Sequence, residues 1–487
     1  MMEKLSTKKL FLLASLIFGM LFGAGNLIFP AHLGQLAGSH WLSAGIVFLI
    51  SSTLLPLAAL IALSKTRSSG LYDFAKPVAA WYGTLFLIMN HMALGPLFAT
   101  PRTAALGYRF SLGMILPEKY TTIGLFIFSV IFFGLAYYLS TRESNLLKII
   151  GKYLNPLFLI LLFAVFIVAL ILPLGPLDTK PVLDYQQAAT TNGFIEGYNT
   201  MDALASLAFG ITIIRALQGM GIHDEDQIAK NTVKSGLFTM VLCGGIYLGI
   251  IALGTMSLNR FGISENGGIA LTQIVQSYFG KVGLIFMALM TLLAVFTSAM
   301  GLIASFAQDF SVRFPKIGYK GWLRITTLLS FITANFGLDT IIAWTMPFLM
   351  ILYPLSMAMI IPALCSAFFQ NRRIVYQLTT IFTAIPALFD GIKALPIQNH
   401  LTTNLTNWYV HTIPFASSGV GFILPAISGF IIGVLYCLIF KQRTELDPSL
   451  IESCNGQREV LPKYDASFDN LSEARRKKQK RTMLIIF

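Results

Sequence analysis

Two stretches of this chain combine small residues with a hydroxyl or amide within otherwise apolar surroundings, and the second adds a lone acid. The first holds Gly19, Gly23 and Gly25, then Asn26, and closes on Pro30. The second reads Asp202-Ala203-Leu204-Ala205-Ser206-Leu207-Ala208-Phe209-Gly210. Glycine costs a helix interior about 1 kcal/mol, so a helix over either stretch is weak at its centre. The first stretch fits two arrangements equally well. One is a close helix crossing, where small side chains let backbones approach; the other is a discontinuous helix whose freed amides and carbonyls line a site for substrate and ion. Two weakened helices at corresponding places favour the second arrangement. Asp202 is the only carboxylate inside a predicted span. A group of that kind marks either a functional site or a position close to outer water, where its cost is small. A third stretch, Ala294-Val295-Phe296-Thr297-Ser298, sets two hydroxyls side by side. Such oxygens suit a hard cation such as sodium, or bonds to their own helix backbone, which the spacing alone favours.

The elements that must position these residues are apolar helices. Of 487 residues, 55% are hydrophobic and 12% charged, against roughly a quarter charged in soluble domains. That balance excludes an ordinary soluble domain. Uncharged apolar runs fall near 10–30, 41–64, 79–101, 121–140, 153–173, 197–218, 235–257, 282–308, 325–338, 340–364, 374–389 and 417–440. The fold class is therefore all-α, a polytopic membrane protein of about twelve spans, most near the ~20 residues a bilayer requires and the ninth and eleventh short. Continuous apolar runs speak against a barrel, whose strands alternate. With both termini in the cytoplasm, 28 of the 35 lysines and arginines lie on the inner side, as the positive-inside bias demands. The net charge of +13 has the same origin and implies no nucleic-acid partner. The first run continues into Gly23–Pro30 without a cleavage site, so it is expected to stay. Cys243, Cys365, Cys437 and Cys454 are scattered, which predicts neither a disulfide framework nor structural zinc. Residues 441–487 turn charged and end in Arg475-Arg476-Lys477-Lys478-Gln479-Lys480-Arg481, a probable-coil composition that predicts a disordered cytoplasmic tail acting as a topology determinant.

The residues resemble a known family. Phe22-Gly23-Ala24-Gly25-Asn26-Leu27-Ile28-Phe29-Pro30, Gly95-Pro96-Leu97-Phe98-Ala99-Thr100-Pro101-Arg102-Thr103-Ala104 and Thr200-Met201-Asp202-Ala203-Leu204-Ala205 look like the bacterial branched-chain amino acid:cation symporters, over about residues 8–440. That resemblance implies a carrier rather than an enzyme, in the bacterial inner membrane, importing leucine, isoleucine and valine with sodium or protons. It implies two inverted five-helix repeats of the leucine-transporter kind, about 8–175 and 193–365, plus two extra helices over about 374–440. It needs no organic cofactor, and no obligatory protein partner is evident. Against the distantly similar sodium-coupled leucine transporter, Gly23-Ala24-Gly25-Asn26 resembles the unwound part of the first helix. Ser206-Leu207-Ala208-Phe209-Gly210 resembles the break in the sixth, and Ala294, Thr297 and Ser298 the sodium ligands of the eighth. The carbonyls of Gly19 and Phe22 would complete that sodium site. Leu204 stands where a second sodium site would place a threonine, so one coupling ion is expected, although Asn26 matches a ligand of that second site.

For the substrate, amides near Ala24 and Gly25 point a positive dipole end at a carboxylate. The Ser206 hydroxyl would accept from the ammonium group, and Phe209 would cover the aliphatic side chain. Each buried methylene is worth about 0.8 kcal/mol, which separates leucine from alanine but hardly valine from isoleucine. Arg102 is either a gate or guide for substrate or an interfacial arginine. His91 is either a proton carrier or a packing residue. A membrane-embedded enzyme would need clustered His, Asp or Glu inside the spans, and a channel an uninterrupted polar lining; neither pattern is present.

Overall fold

The computed structural model of the chain describes residues 5–142, 146–397 and 399–439; the basic tail, 441–487, lies outside the described residues. Every described element is helical. In chain order they are α1 (Thr7–Leu21), α2 (Ala24–Ala37), α3 (Trp41–Leu49), α4 (Leu55–Lys65), α5 (Leu71–Ala75), α6 (Ala80–Met92), α7 (Ala99–Arg109) and α8 (Thr121–Ser140). There follow α9 (Asn155–Ile171), α10 (Leu183–Glu196), α11 (Asp202–Gly219), α12 (Glu225–Ser257), α13 (Gly267–Phe279) and α14 (Val282–Arg313). The last are α15 (Gly318–Ala334), α16 (Leu338–Cys365), α17 (Arg373–Lys393), α18 (His400–Thr412) and α19 (Ile423–Ile439). Wider π turns join α3 to α4 over Ile50–Leu54, lead from α6 toward α7 over Ala93–Leu97, and run into α9 over Leu147–Leu154.

Each predicted apolar run is largely helical, and among the described residues nine helical stretches are long and apolar enough to cross a bilayer. The chain is an all-helical, multi-pass membrane protein. Its outer faces agree: Ile123, Phe126, Ile127, Val130 and Ile131 on α8, and Leu157, Ile160, Ile167 and Leu170 on α9, are all exposed. A soluble protein would not leave so much contiguous apolar surface in water. The helices reach beyond the predicted boundaries at several charged ends. α12 starts at Glu225 rather than near 235, and α15 at Gly318 rather than near 325, because reading for uncharged runs stops at the first polar turn. The amphipathic helices α5, α13 and α18 were not expected, since none is a continuous apolar run.

Small residues lock several crossings. A Cβ on Gly34 would overlap the Ile251 carbonyl of α12, and one on Gly254 the Ala31 carbonyl of α2. These two helices therefore touch backbone to backbone, the arrangement that small residues permit. Gly19 faces the opposite neighbour, where an added Cβ would stand 2.6 Å from Ile150 Cγ2. The glycine-rich first stretch thus serves both arrangements open to it: Gly19 permits a close crossing, and the break lies just beyond.

Candidate functional site

The first helix breaks at Phe22 (φ −77°, ψ 92°) and Gly23 (φ −105°, ψ −167°), between α1 and α2. In an unbroken helix the Gly23 amide would bond the Gly19 carbonyl. Here it donates instead to Asn26 Oδ1 at 3.0 Å, a cap that restarts the helix. The Gly19 carbonyl then faces α14, where Ser298 Oγ lies 3.5 Å away. One break therefore offers two opposite polarities within a few residues: the carbonyl end of α1 attracts cations and the amide end of α2 attracts anions.

The sixth span breaks too, but earlier than expected. α10 ends at Glu196, a tight turn covers Gly197–Thr200, and Met201 takes a left-handed conformation (φ 60°, ψ 13°) before α11 begins at Asp202. A non-glycine residue held there costs on the order of 1–3 kcal/mol. Ser206-Leu207-Ala208-Phe209-Gly210 is instead the interior of an unbroken α11. The expected break at 206–210 is corrected to 197–201. The run was misplaced because small residues can mark close packing as well as unwinding: a Cβ on Gly210 would stand 2.9 Å from Leu63 Cδ1 of α4.

The two breaks face one another. Asn26 Nδ2 donates to Asp202 Oδ1 at 2.9 Å and Oδ2 at 2.8 Å, and also lies against the Tyr247 hydroxyl of α12. Tyr247 donates to Asp202 Oδ2 at 2.7 Å. Asp202 is 2% exposed and is the first residue of α11. Asp202 is therefore enclosed by protein and makes no open contact with water. Across from it, Arg102 is interior to α7 rather than interfacial, at 5% exposure. Its Nη2 donates to the Asn199 carbonyl in the sixth break at 3.0 Å, and its guanidinium lies 5.4 Å from the centre of the Phe29 ring.

Between these groups is a cavity of about 40 Å³, room for roughly two or three waters. Gly23, Gly25, Asn26, Arg102, Thr103, Thr200, Met201, Ala205 and Ser298 contribute to its wall. Of the expected substrate residues, Gly25 and Asn26 line it. Ala24 is the first residue of α2. Ser206 and Phe209, each 1% exposed, do not; Met201 and Ala205 take that side, because the break lies nearer the chain start. Of the expected cation ligands, Gly19 on α1 and Ser298 on α14 face one another. Thr297 Oγ1 bonds its own helix at Ala294 O (2.9 Å) and Leu293 O (3.1 Å), whereas Ser298 Oγ turns to Gly19. The Ser298–Gly19 hydrogen bond is long. Among the described residues no cluster of three His, Cys, Asp or Glu side chains exists to hold a metal.

Sequence reasoning missed Tyr247, Thr200 and Met201, and it placed three further acids just outside the spans. Glu196 ends α10, Asp309 lies inside α14 and Asp390 inside α17, so Asp202 is not the sole intramembrane carboxylate. Asp309 pairs with His91: Nε2 to Oδ2 is 2.7 Å, with the side chains 1% and 4% exposed.

Comparison with known proteins places this arrangement in a family. Residues 6–440 match the family described as "Branched-chain amino acid transport protein". The chain is 39% identical over 447 residues to a branched-chain amino acid permease, BrnQ, of Lactobacillus delbrueckii subsp. lactis, covering 91% of this chain and 100% of that one. It is 34% identical over 444 residues to BrnQ of Bacillus subtilis (strain 168), covering 91% and 100%. In three dimensions it is similar to Mhp1, a nucleobase-cation-symport-1 family transporter solved in a closed conformation with bromovinylhydantoin bound. There the TM-score is 0.57 at 14% identity, over 87% of this chain and 91% of that one, a likeness of fold. On the extent of the family match, and on the identity to relatives it covers end to end, the chain belongs to the branched-chain amino acid transport proteins, which are carriers and not enzymes.

Proposed function

We propose that the protein is a secondary symporter that imports leucine, isoleucine and valine together with one sodium ion by alternating access. It sits in the bacterial inner membrane with twelve spans and both termini cytoplasmic. Residues 8–175 and 193–365 form two inverted five-helix repeats, and 374–440 adds two helices. The observation that carries this reading is the meeting of two interrupted helices at one buried cavity. Backbone groups freed in the middle of a bilayer are costly unless a ligand or partner satisfies them, and a zwitterion with a cation does so at both polarities.

The cation is held by the carbonyls of Gly19, Phe22 and Ala294 and the hydroxyls of Thr297 and Ser298. The substrate carboxylate meets the amides of Ala24 and Gly25, with Asn26 fixed behind them by Asp202 and Tyr247. Met201 and Ala205 replace Phe209 as the apolar wall, and Ser206, away from the cavity, gives up its ammonium contact. The cavity must widen to take a branched side chain, so substrate entry and helix movement are one event. The test is leucine uptake into proteoliposomes with and without an inward sodium gradient; a flux indifferent to sodium rejects the coupling.

A second reading, coupling to protons in the same carrier, is favoured by the buried His91–Asp309 pair. Under it uptake collapses with a protonophore and ignores sodium.

A further inference from the structure

Arg102 lines the cavity with a guanidinium that is not fully used. Nη2 is spent on the Asn199 carbonyl, but Nη1 is buried and has no hydrogen-bond partner among the described residues. The nearby acid makes no direct contact with it: Asp202 takes its side-chain hydrogen bonds from Asn26 and Tyr247, and among the described residues no ion pair within 4 Å joins it to Arg102. The same guanidinium lies over the amide end of α2, because a Cβ on Gly25 would stand 2.9 Å from Nη2. A full positive charge and the positive end of a helix dipole thus converge on one buried space, each raising the cost of the other. The Asn199 carbonyl and the Phe29 ring offset part of that cost; an anion between the two positive groups relieves both at once, and a planar carboxylate suits the guanidinium fork.

We propose that Arg102 is the residue that binds the substrate's α-carboxylate, its free Nη1 and the α2 amides holding the two carboxylate oxygens. This rests on the transport reading above and adds to it the group that selects an amino acid over an amine or amide. Phe29 beneath the guanidinium and the Asn199 carbonyl keep the side chain aimed. Asp202 is then a positioning residue for Asn26 rather than a substrate ligand.

The full-length carrier, purified and reconstituted, is tested with leucine, leucinamide, 4-methylpentanoate (carboxylate without ammonium) and 3-methylbutylamine (ammonium without carboxylate). Competition for labelled leucine binding and the ligand-induced rise in melting temperature are both read, so that a transport-dead variant still reports. In the wild type leucinamide should compete at least about tenfold more weakly than leucine, and 4-methylpentanoate better than 3-methylbutylamine. In Arg102→Gln the leucine-to-leucinamide ratio should fall to near one, and Arg102→Lys should keep part of it. An unchanged ratio in Arg102→Gln overturns the assignment and leaves the transport reading standing. Should that variant fail to fold, the wild-type ranking decides: 3-methylbutylamine competing better than 4-methylpentanoate overturns it. A wild type that neither binds nor takes up leucine under any ion gradient overturns the transport reading and this assignment together.

Discussion

Replacing Ser298 by alanine removes one of the five oxygens proposed to surround the cation while leaving the fold nearly untouched. The hydroxyl is 4% exposed, and its one protein hydrogen bond, to the Gly19 carbonyl, is long at 3.5 Å, so its loss costs less than about 1 kcal/mol of stability. An interaction with a charged partner is worth about 1.5–3 kcal/mol. Since 1.4 kcal/mol is a factor of ten, the sodium concentration for half-maximal leucine uptake should rise roughly 10- to 150-fold. The assay is initial leucine uptake in proteoliposomes over a sodium titration, with the maximal rate at saturating sodium largely kept. Ser305→Ala is the control: the same chemistry on the same helix, fully buried and bonded to Leu302 O at 3.1 Å, but not one of the five oxygens. A Ser298→Ala carrier whose sodium requirement matches that of Ser305→Ala refutes the assignment of this oxygen to the ion.

Three further outcomes are expected. Gly25→Ala puts a methyl 2.9 Å from Arg102 Nη2 and 3.3 Å from Phe29 Cε2; the half-saturating leucine concentration should rise about tenfold or more at unchanged membrane level, measured by uptake and immunoblot. Tyr247→Phe deletes a donor to the buried Asp202 and should lower stability in detergent by about 1.5–3 kcal/mol, read as a drop in the unfolding midpoint. His91→Gln keeps a donor for Asp309 but removes the titratable ring; sodium-driven uptake should persist with its response to a pH gradient unaltered, whereas loss of that response supports proton coupling.

The positions of the apolar helices were legible because hydrocarbon imposes a length and a composition on anything that crosses it. The first break was half legible: Gly19, Gly23 and Gly25 crowding one short stretch fits a close crossing as well as a break, and the resemblance of Gly23-Ala24-Gly25-Asn26 to an unwound helix tipped the balance. The sixth was not. Its turn is made by Gly197, Tyr198, Asn199, Thr200 and a left-handed Met201, where a single glycine is a weak signal, while the glycine-bearing run after it packs against Leu63. The rule that found the spans also concealed their acids. Reading for uncharged runs ends each span at the first charge, so Glu196, Asp309 and Asp390 fell one residue outside the predicted limits of 197, 308 and 389. Tyr247 was beyond any local signal, because a tyrosine in an apolar helix becomes informative only when its distant partner is known. Ser298 was distinguishable from Thr297 only in three dimensions: adjacent hydroxyls on a helix point about 100° apart, and one turned inward to its own backbone while the other met α1.

Only Phe22 and Gly23 join α1 to α2, and α2 is pressed against α12 through Gly34 and Gly254. α1 is in effect a lever on a two-residue pivot, tied along its length to its neighbours by Ser15 to the Gly151 carbonyl and by Thr239 to the Ala14 carbonyl. Any swing of that lever must part the Gly19 carbonyl from Ser298. A cation gripping both oxygens would act as a latch, and its departure would free the arm, so that ion and movement are linked by leverage alone with no covalent step between them.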